Sequence, residues 1–177
     1  IEFEDSFYMM DQHAAHEKIL YERLMKQFHE KTYHSQMIMP PVILTLSLRE
    51  EQILKENWKT FTALGYEIEE FGGKEYKVTG LPAELPTVID CKQLLIELID
   101  TIADESATHD PERITEKVAS MSCKAAVKGN NRLSFKEAEE LMRELMEAEN
   151  PYNCPHGRPT LIKMTKYEIE RKFKRIL

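Results

Sequence analysis

The spacing of apolar positions divides the chain into strand-like and helix-like stretches. Residues 3–10 alternate weakly and then turn apolar, which is typical of a strand that enters a core. Residues 14–30 carry Leu20, Leu24 and Phe28 at intervals of four, the repeat of a helix with one apolar face. The pattern therefore predicts a strand followed at once by a helix, with a short polar junction between them.

The middle of the chain predicts a second set of elements after a proline-containing break at residues 37–41. Gly72 and Gly73 separate two strand-like runs, which indicates a hairpin. The stretches with a helical repeat are residues 48–64, 91–103 and 111–127. Residues 39–110 contain no cluster of candidate ligands, so we interpret them as an inserted regulatory subdomain.

The last third of the chain carries two helix-start signals. Ser134 with Glu137, and Thr165 with Glu168, have the spacing of a capping box, in which each side chain bonds to the other residue's backbone N–H. They predict a helix that ends near residue 148 and a final helix that runs to the C-terminus. A short strand is predicted between them at residues 160–164.

Length and composition fit a globular α+β protein of two subdomains. The chain has 177 residues, of which 42% are apolar and 31% charged. We predict one subdomain from residues 1–38 and 111–177, which carries the candidate site, and an inserted one from residues 39–110. The chain opens inside a strand-like pattern without an initiator methionine or a signal peptide, so we expect a piece of a longer protein. No apolar run approaches the ~20 residues of a membrane span.

The charge of the chain limits the kinds of partner it can bind, and its cysteines indicate the cellular compartment. The net charge of −7 argues against strong unaided binding to nucleic acid. Residues 158–177, with seven basic and two acidic side chains, are a local exception. Cys91, Cys123 and Cys154 are an odd number at wide spacing, which fits thiols or metal ligands in a reducing compartment better than a disulfide framework. We therefore expect a cytoplasmic protein.

The junction between the first strand and the first helix holds the first candidate ligands. His13 and Glu17 are four positions apart and share a helix face, and Asp11 can fold back toward the same pocket. One imidazole and two carboxylates suit zinc or manganese. The alternative is that Asp11 is a helix N-cap and that His13 and Glu17 are a surface hydrogen-bonded pair.

Two further segments offer softer ligands. Cys154 and His156 lie two positions apart in a loop where Pro155 stiffens the backbone and Gly157 permits a sharp turn. A thiolate and an imidazole placed in this way can bind one ion or bridge two. Cys123 lies on a helix of small residues, where a lone cysteine is usually a small core residue. For Cys123 both interpretations stay open on the residues alone.

The same segments resemble the motifs of the endonuclease-type C-terminal domain of MutL DNA mismatch-repair proteins. The matching stretches are Asp11-Gln12-His13-Ala14-x-x-Glu17-x-x-x-x-Glu22, Ser122-Cys123-Lys124-Ala125-Ala126-Val127-Lys128, Cys154-Pro155-His156-Gly157-Arg158-Pro159 and Phe173-Lys174-Arg175. Their order and spacing agree along nearly the whole chain, and the first and third are the discriminating ones. Ser122 and Lys124 replace the alanine and arginine of the second motif.

The resemblance implies a metal-dependent endonuclease that nicks duplex DNA in mismatch repair, and a homodimer formed by the subdomain at the two chain ends. It implies a site for two metals, zinc, manganese or both. The catalytic metal would be held by Asp11, His13 and Glu17. A tighter, zinc-like ion would be held by Cys123, Cys154 and His156. The missing N-terminal ATPase region of the same protein is an expected partner, since it would help to deliver DNA.

Three accessory features complete the expected machinery. The family's sliding-clamp motif, Gln-x-x-Leu-x-Pro, is matched by residues 35–40, with Gln36, Ile38 and Pro40 as candidate contacts and a serine at the motif's glutamine position. Arg158 and Lys124 are candidates for contact with a phosphate or for support of a metal ligand. For Arg158 the alternative is a salt bridge to the acidic helix that follows Ser134.

The rival function is a non-catalytic, zinc-stabilised dimerisation module. Glu17 discriminates between the two, because a closed structural zinc site uses cysteine and histidine, whereas carboxylates beside open positions indicate catalysis. A zinc peptidase is disfavoured because the chain has no His-Glu-x-x-His helix. Since solvent-facing ligands contribute little to core burial, replacing Asp11 or Glu17 is expected to affect activity more than stability.

Overall fold

The computed structural model describes residues 2–86, 90–105, 111–126 and 132–176. The strands are β1 (Glu2–Phe3), β2 (Ser6–Met10), β3 (Ser35–Thr45), β4 (Glu67–Gly72), β5 (Glu75–Pro82) and β6 (Leu161–Thr165). The helices are α1 (Gln12–Glu30), α2 (Leu48–Glu56), α3 (Trp58–Ala63), α4 (Cys91–Glu105), α5 (Pro111–Ala126), α6 (Phe135–Glu147) and α7 (Lys166–Lys172). This mixture of helices and antiparallel sheets confirms the predicted α+β class. Within the described ranges, no helix has the length and apolar character needed to cross a membrane.

Contacts divide the chain into two compact units. The terminal unit comprises Ile1–Ile19 and Asn131–Leu177, and the central unit comprises Leu20–Asn130. The predicted subdomain boundaries lie elsewhere, after residues 38 and 110, and they stay a prediction about function. Helix α1 accounts for the first difference, because its second half carries Leu24 and Met25, which are buried in the core of the central unit. Helix α5 accounts for the second, because Val118 and Cys123 are buried in the same core.

In the terminal unit, one face of a small antiparallel sheet packs on a helical core. The sheet has the strand order β1-β2-β6. Met10 pairs with Leu161 where β2 ends and β6 begins, and both residues pack against the core. The buried residues of this core are Ala15, Ile19, Leu141 and Leu145. Both predicted capping boxes are present, at the starts of α6 and α7. The first turns of these helices are therefore fixed by their own sequence.

In the central unit, helices cover a second antiparallel sheet with the order β3-β5-β4. The predicted hairpin is formed by β4 and β5, and Gly72 and Gly73 both have positive φ, at 113° and 60°. Fully buried side chains fill the core of this unit, and they include Leu44, Leu54, Phe61, Tyr66, Leu95, Leu98 and Ile99. This unit therefore has a larger core than the terminal unit.

The predicted helix at residues 48–64 is two helices, α2 and α3, that meet at Asn57. The Asn57 side-chain amide donates to the Ile53 carbonyl at 2.9 Å, and its backbone N–H bonds to the same carbonyl at 3.1 Å. A side chain that competes for the backbone acceptors of its own helix favours a helix end, which explains the break.

Candidate metal centre

Asp11 lies at the junction of β2 and α1, as predicted, and it caps the helix. Its Oδ1 accepts hydrogen bonds from the backbone N–H groups of His13 and Ala14, at 2.9 and 3.0 Å. Its own N–H donates to the Thr160 carbonyl at 2.9 Å, which ties the start of α1 to the end of the Cys-Pro-His loop. Asp11 is thus the N-cap of α1, as the alternative interpretation held. The cap uses only Oδ1, so it does not occupy the second carboxylate oxygen, Oδ2.

Glu17 is a buried carboxylate on α1, with 5% of its side chain exposed. Its Oε2 accepts a hydrogen bond from Arg158 Nη2 at 2.5 Å and lies 3.2 Å from His156 Nδ1. A buried charge is stable only when it is paired and hydrogen-bonded. Glu17 is therefore no surface partner of His13; its partners come from the loop that follows residue 150.

That loop is a tight turn held by its own backbone. Cys154 N–H donates to the Arg158 carbonyl at 2.8 Å, and Gly157 N–H donates back to the Cys154 carbonyl at 2.9 Å. Gly157 has a φ of 77°, a conformation that side-chain-bearing residues rarely adopt. Asn153 and Pro159 form a β-bridge that closes the turn. The turn fixes the backbone from which Cys154, His156 and Arg158 project.

Glu17, Cys154 and His156 come together as a group that can hold a metal ion. One ligand atom from each residue lies within 4.8 Å of the others. Cys154 is buried, with 4% exposed, whereas the His156 side chain is 29% exposed. A carboxylate oxygen, a thiol and an imidazole are a donor set that zinc accepts. The residues present therefore fit the metal that the sequence predicts.

The remaining predicted ligands do not belong to this group. Asp11 and His13 lie at the start of α1 in the same unit, Asp11 exposed and His13 half-buried. Cys123 lies on α5 and is fully buried in the core of the central unit. Lys124, the next residue, is exposed. The ligand roles of Asp11, His13 and Cys123 stay predictions.

Ser122, the residue that replaces the alanine of the second motif, makes a buried hydrogen-bond chain. Its hydroxyl donates to the Val118 carbonyl at 2.7 Å and lies 2.5 Å from the Tyr66 hydroxyl. Burial raises the pKa of Tyr66, so the phenol stays protonated. This contact links α5 to the segment before β4. The serine is a satisfied core residue of the central unit.

Arg158 pairs with Glu17 of α1 and not with α6, the acidic helix that the sequence suggested. The side-chain hydrogen bonds to Glu17 and then to Cys154, together with the negative charge of Glu17, raise the pKa of Arg158 above its usual range. Half of the Arg158 side chain is exposed, so the pair is open to solvent on one side. Sequence reasoning found Arg158 as a candidate and missed its partner, because Glu17 is 141 residues away.

The candidate clamp segment forms the start of β3. The Gln36 side-chain amide donates to the carbonyls of Pro82 and Ala83, at 3.0 and 3.4 Å, so it is already engaged within the central unit. Ile38 is partly buried against the core. The residues on the other side of the strand, Met37 and Met39, are 75% and 79% exposed.

This stretch of β3, including Pro40, lines a cleft of about 520 Å³. Sequence reasoning passed over the two methionines, although the alternation of side chains in a strand would have separated them from Gln36 and Ile38.

Comparison with known proteins identifies the family. A family model described as "MutL C terminal dimerisation domain" matches residues 1–133. The chain is 53% identical over 177 residues to "DNA mismatch repair protein MutL" of Agathobacter rectalis, covering all of this chain and 27% of that protein. It is 37% identical over 176 residues to the protein of the same name from Clostridium beijerinckii, covering 99% of this chain and 26% of that protein.

A further protein of that name, from Clostridium perfringens, is 38% identical over 175 residues, covering 99% of this chain and 26% of that protein. The chain thus spans about a quarter of the length of these curated relatives. The family model covers well over half of the chain. The chain therefore belongs to the MutL C-terminal dimerisation domain family.

Proposed function

We propose that this chain is the metal-dependent endonuclease domain of a MutL-type mismatch-repair protein, and that it nicks duplex DNA as a homodimer. The observation that carries the proposal is the convergence of Glu17, Cys154 and His156, whose ligand atoms lie within 4.8 Å of one another. Membership of the MutL family supports the process, since the named relatives are DNA mismatch repair proteins.

The proposed ligands divide by chemical softness. The thiol of Cys154 and the imidazole of His156 favour zinc, and the carboxylates of Asp11 and Glu17 suit manganese as well. His13 is proposed beside Asp11 as a ligand of the catalytic metal. Cys123 is proposed from the second motif as a further zinc ligand.

A divalent cation supplies two things to phosphodiester hydrolysis when it is bound: acidity for the attacking water and neutralisation of charge on the phosphate. The arrangement of His156 and Glu17 favours binding of such a cation. With its hydrogen on Nδ1, His156 would donate to Glu17 Oε2 and leave the ring's lone pair on Nε2, the form in which imidazole binds metals. The His156 side chain, 29% exposed, keeps the group accessible from solvent, as a catalytic site requires.

The alternative function is a non-catalytic module in which one zinc ion is structural. Its supporting observation is the low exposure of Cys154, 4%, since thiolates of structural sites are usually enclosed. Against it stands Glu17, because a carboxylate in the donor group is uncommon in closed structural zinc sites.

The deciding experiment combines metal analysis with a nicking assay. Purified protein is expected to carry zinc or manganese, and nicking of supercoiled plasmid by the chain fused to a sequence-neutral DNA-binding module is expected to require the metal. Chelation should abolish nicking, and re-addition of manganese or zinc should restore it. Bound zinc without nicking under any of these conditions would favour the structural alternative. Absence of bound metal would reject both functions.

We propose that the homodimer forms through the outer face of the β2–β6 sheet. Phe7 and Met9, on β2, are 40% and 41% exposed, and Ile162, the β6 partner of Met9, is 47% exposed. With Met164, the partner of Phe7, they form one apolar patch on the face opposite Met10 and Leu161. Such contiguous exposed apolar surface is typical of protein interfaces.

Charge near the patch favours a second copy of this chain as the occupant. A cleft of about 640 Å³ includes Met9 and Ile162 together with Glu168, Arg171 and Lys172 of α7. In a two-fold interface the same surface meets itself, so an acidic and a basic group at one rim can each pair with the opposite group on the partner. The patch lies in the terminal unit, in agreement with the expected dimerisation by the chain ends.

Replacing Met9 and Ile162 by glutamate is expected to convert the dimer to a monomer. Placing two carboxylates on each side of an apolar interface should raise the dimer dissociation constant by about 100-fold. Sedimentation equilibrium at tens of micromolar measures this. The matched control is Met37→Glu, an exposed methionine of the central unit, which should leave the dimer intact. A monomeric parent protein, or dissociation by the control alone, would reject this interface.

The other partners are proposals for the whole protein. Duplex DNA is the proposed substrate, bound weakly by this chain alone because its net charge is −7. The N-terminal ATPase region and a sliding clamp are the proposed means of delivery. For the clamp, the proposed contacts are Gln36, Ile38 and Pro40, although the Gln36 amide already bonds to Pro82.

A further inference from the structure

The Glu17 carboxylate needs a counter-charge that is present whether or not a metal is bound. Two groups reach its Oε2: Arg158 Nη2 at 2.5 Å and His156 Nδ1 at 3.2 Å. An arginine is protonated at every accessible pH, and the contact from Arg158 is the shorter of the two. Arg158 is thus the permanent counter-charge of this buried group.

The position of Arg158 is fixed by the same turn that carries two of the candidate ligands. The Arg158 carbonyl accepts the Cys154 N–H at 2.8 Å, so the arginine backbone is hydrogen-bonded directly to a ligand residue. The guanidinium then reaches back to Glu17 on α1. A guanidinium with a fixed fork of donors holds a carboxylate in one orientation better than a lysine does. Arg158 therefore connects the loop ligands to the helix ligand.

We propose that Arg158 is a positioning residue of the candidate metal centre, which stabilises buried Glu17 and holds it beside Cys154 and His156 before a cation binds. Both contacts to Glu17 use Oε2, so neither occupies its other carboxylate oxygen, Oε1. The identity of the cation rests on the proposed function, whereas the pairing itself does not. In this role the guanidinium acts through Glu17 and not by contact with a DNA phosphate.

A double-mutant cycle in the metal-free protein tests the pairing. Urea unfolding is measured for the 177-residue protein after chelation, with Arg158→Met, Glu17→Gln and the two combined. Arg158→Met should lower the unfolding midpoint, because it leaves a buried carboxylate without its partner. In the Glu17→Gln background the same change should shift the midpoint much less, since the charge to be compensated is gone. Equal shifts in both backgrounds would overturn the proposal.

Zinc affinity tests the consequence for the site. Arg158→Met should weaken zinc binding by about 10- to 100-fold, the loss typical when an outer partner of a metal ligand is removed. Arg158→Lys should recover part of it, because the charge is kept and the fork is lost. Arg143→Met is the matched control: it removes a similarly exposed arginine of the same unit, paired with Glu140, and should leave zinc affinity unchanged.

Two outcomes of the zinc titration contradict the proposal. Tighter zinc binding in Arg158→Met would mean that the arginine competes with the cation for Glu17, and unchanged zinc binding would mean that it does not position Glu17 for the cation. Unchanged zinc binding and midpoint with a loss of DNA affinity would assign Arg158 to phosphate contact. If the parent protein binds neither zinc nor manganese, the proposed function fails, and the metal-free cycle still decides whether Arg158 is the partner of Glu17.

Discussion

Nicking by the DNA-tethered protein is expected to fall at least about 100-fold when Glu17 becomes glutamine or Asp11 becomes asparagine, since even outer partners of metal ligands contribute 10- to 100-fold. Both changes remove a negative oxygen donor and keep the size of the side chain. Asparagine caps helices as well as aspartate does, so Asp11→Asn preserves the hydrogen bonds to His13 and Ala14. Plasmid nicking with manganese and circular dichroism measure activity and fold.

Asp11 and Glu17 differ in burial, and therefore in the effect that a substitution should have on stability. Asp11 is exposed, as a solvent-facing ligand should be, whereas the Glu17 side chain is only 5% exposed, which contradicts that expectation. A lysine at position 17 would place a buried cation beside Arg158 and unfold the site, so glutamine is the informative substitution. Glu140→Gln, an exposed ion-paired carboxylate on α6, is the matched control and should nick normally. Full nicking by Asp11→Asn and Glu17→Gln would remove both residues from the proposed site.

The elements that could be predicted from sequence are those whose cause is local. The capping boxes at Ser134 and Thr165 are formed by residues three apart, and the β4–β5 hairpin follows from two adjacent glycines. Such signals act within one turn of the chain, so distant residues do not change them. The last helix nevertheless ends at Lys172 and not at the C-terminus, with a positive φ at Lys174.

Strand β3 was missed because its sequence contains Pro40 and Pro41. A proline cannot donate to a strand ladder, so it argues against a strand in the middle of a sheet. The order β3-β5-β4 places β3 at the edge, where proline is tolerated, and the β3–β5 register shifts between Met37 and Val42. The position of a strand within its sheet depends on tertiary pairing, which the local pattern does not contain.

In the candidate site too, some features follow from the local sequence and others depend on tertiary contacts. The residue types of the Cys-Pro-His loop and the turn at Gly157 could be predicted from the sequence, because spacing and residue type are local properties. The burial of Glu17 and its bond to Arg158 could not, because they depend on contact between α1 and a loop more than a hundred residues later. Helical spacing placed Glu17 beside His13, and tertiary contact decided which side chains it meets.

Nicking by the isolated chain is expected to be limited by delivery of DNA. The bare chain is expected to nick plasmid weakly, because affinity for duplex DNA depends mainly on neutralising phosphates, and a net charge of −7 opposes this. The basic residues of segment 158–177 are a local exception, and one of them, Arg158, is already paired with Glu17. Fusion to a sequence-neutral DNA-binding module should raise nicking by about 100-fold or more through effective concentration.

A loaded sliding clamp should give a comparable increase by a separable route. Ile38→Ala combined with Pro40→Ala should remove stimulation by the clamp and leave the fused protein fully active, because the change lies in the central unit and spares the ligands. Phe71→Ala, an exposed apolar residue on β4 of the same unit, is the matched control and should keep clamp stimulation. Loss of activity in both formats would indicate a folding defect of the variant, whereas clamp stimulation retained by the double variant would remove residues 35–40 as the clamp site.

Nicking rates of the bare and the fused chain, measured from low salt to ~0.15 M, test whether the bare chain needs help to bind DNA. The bare chain should lose activity as salt rises, since its contacts to DNA phosphates are electrostatic. The fused chain should lose less, because its module holds the DNA. Strong nicking by the bare chain at ~0.15 M salt would contradict the prediction, because a domain of net charge −7 would then find DNA without help.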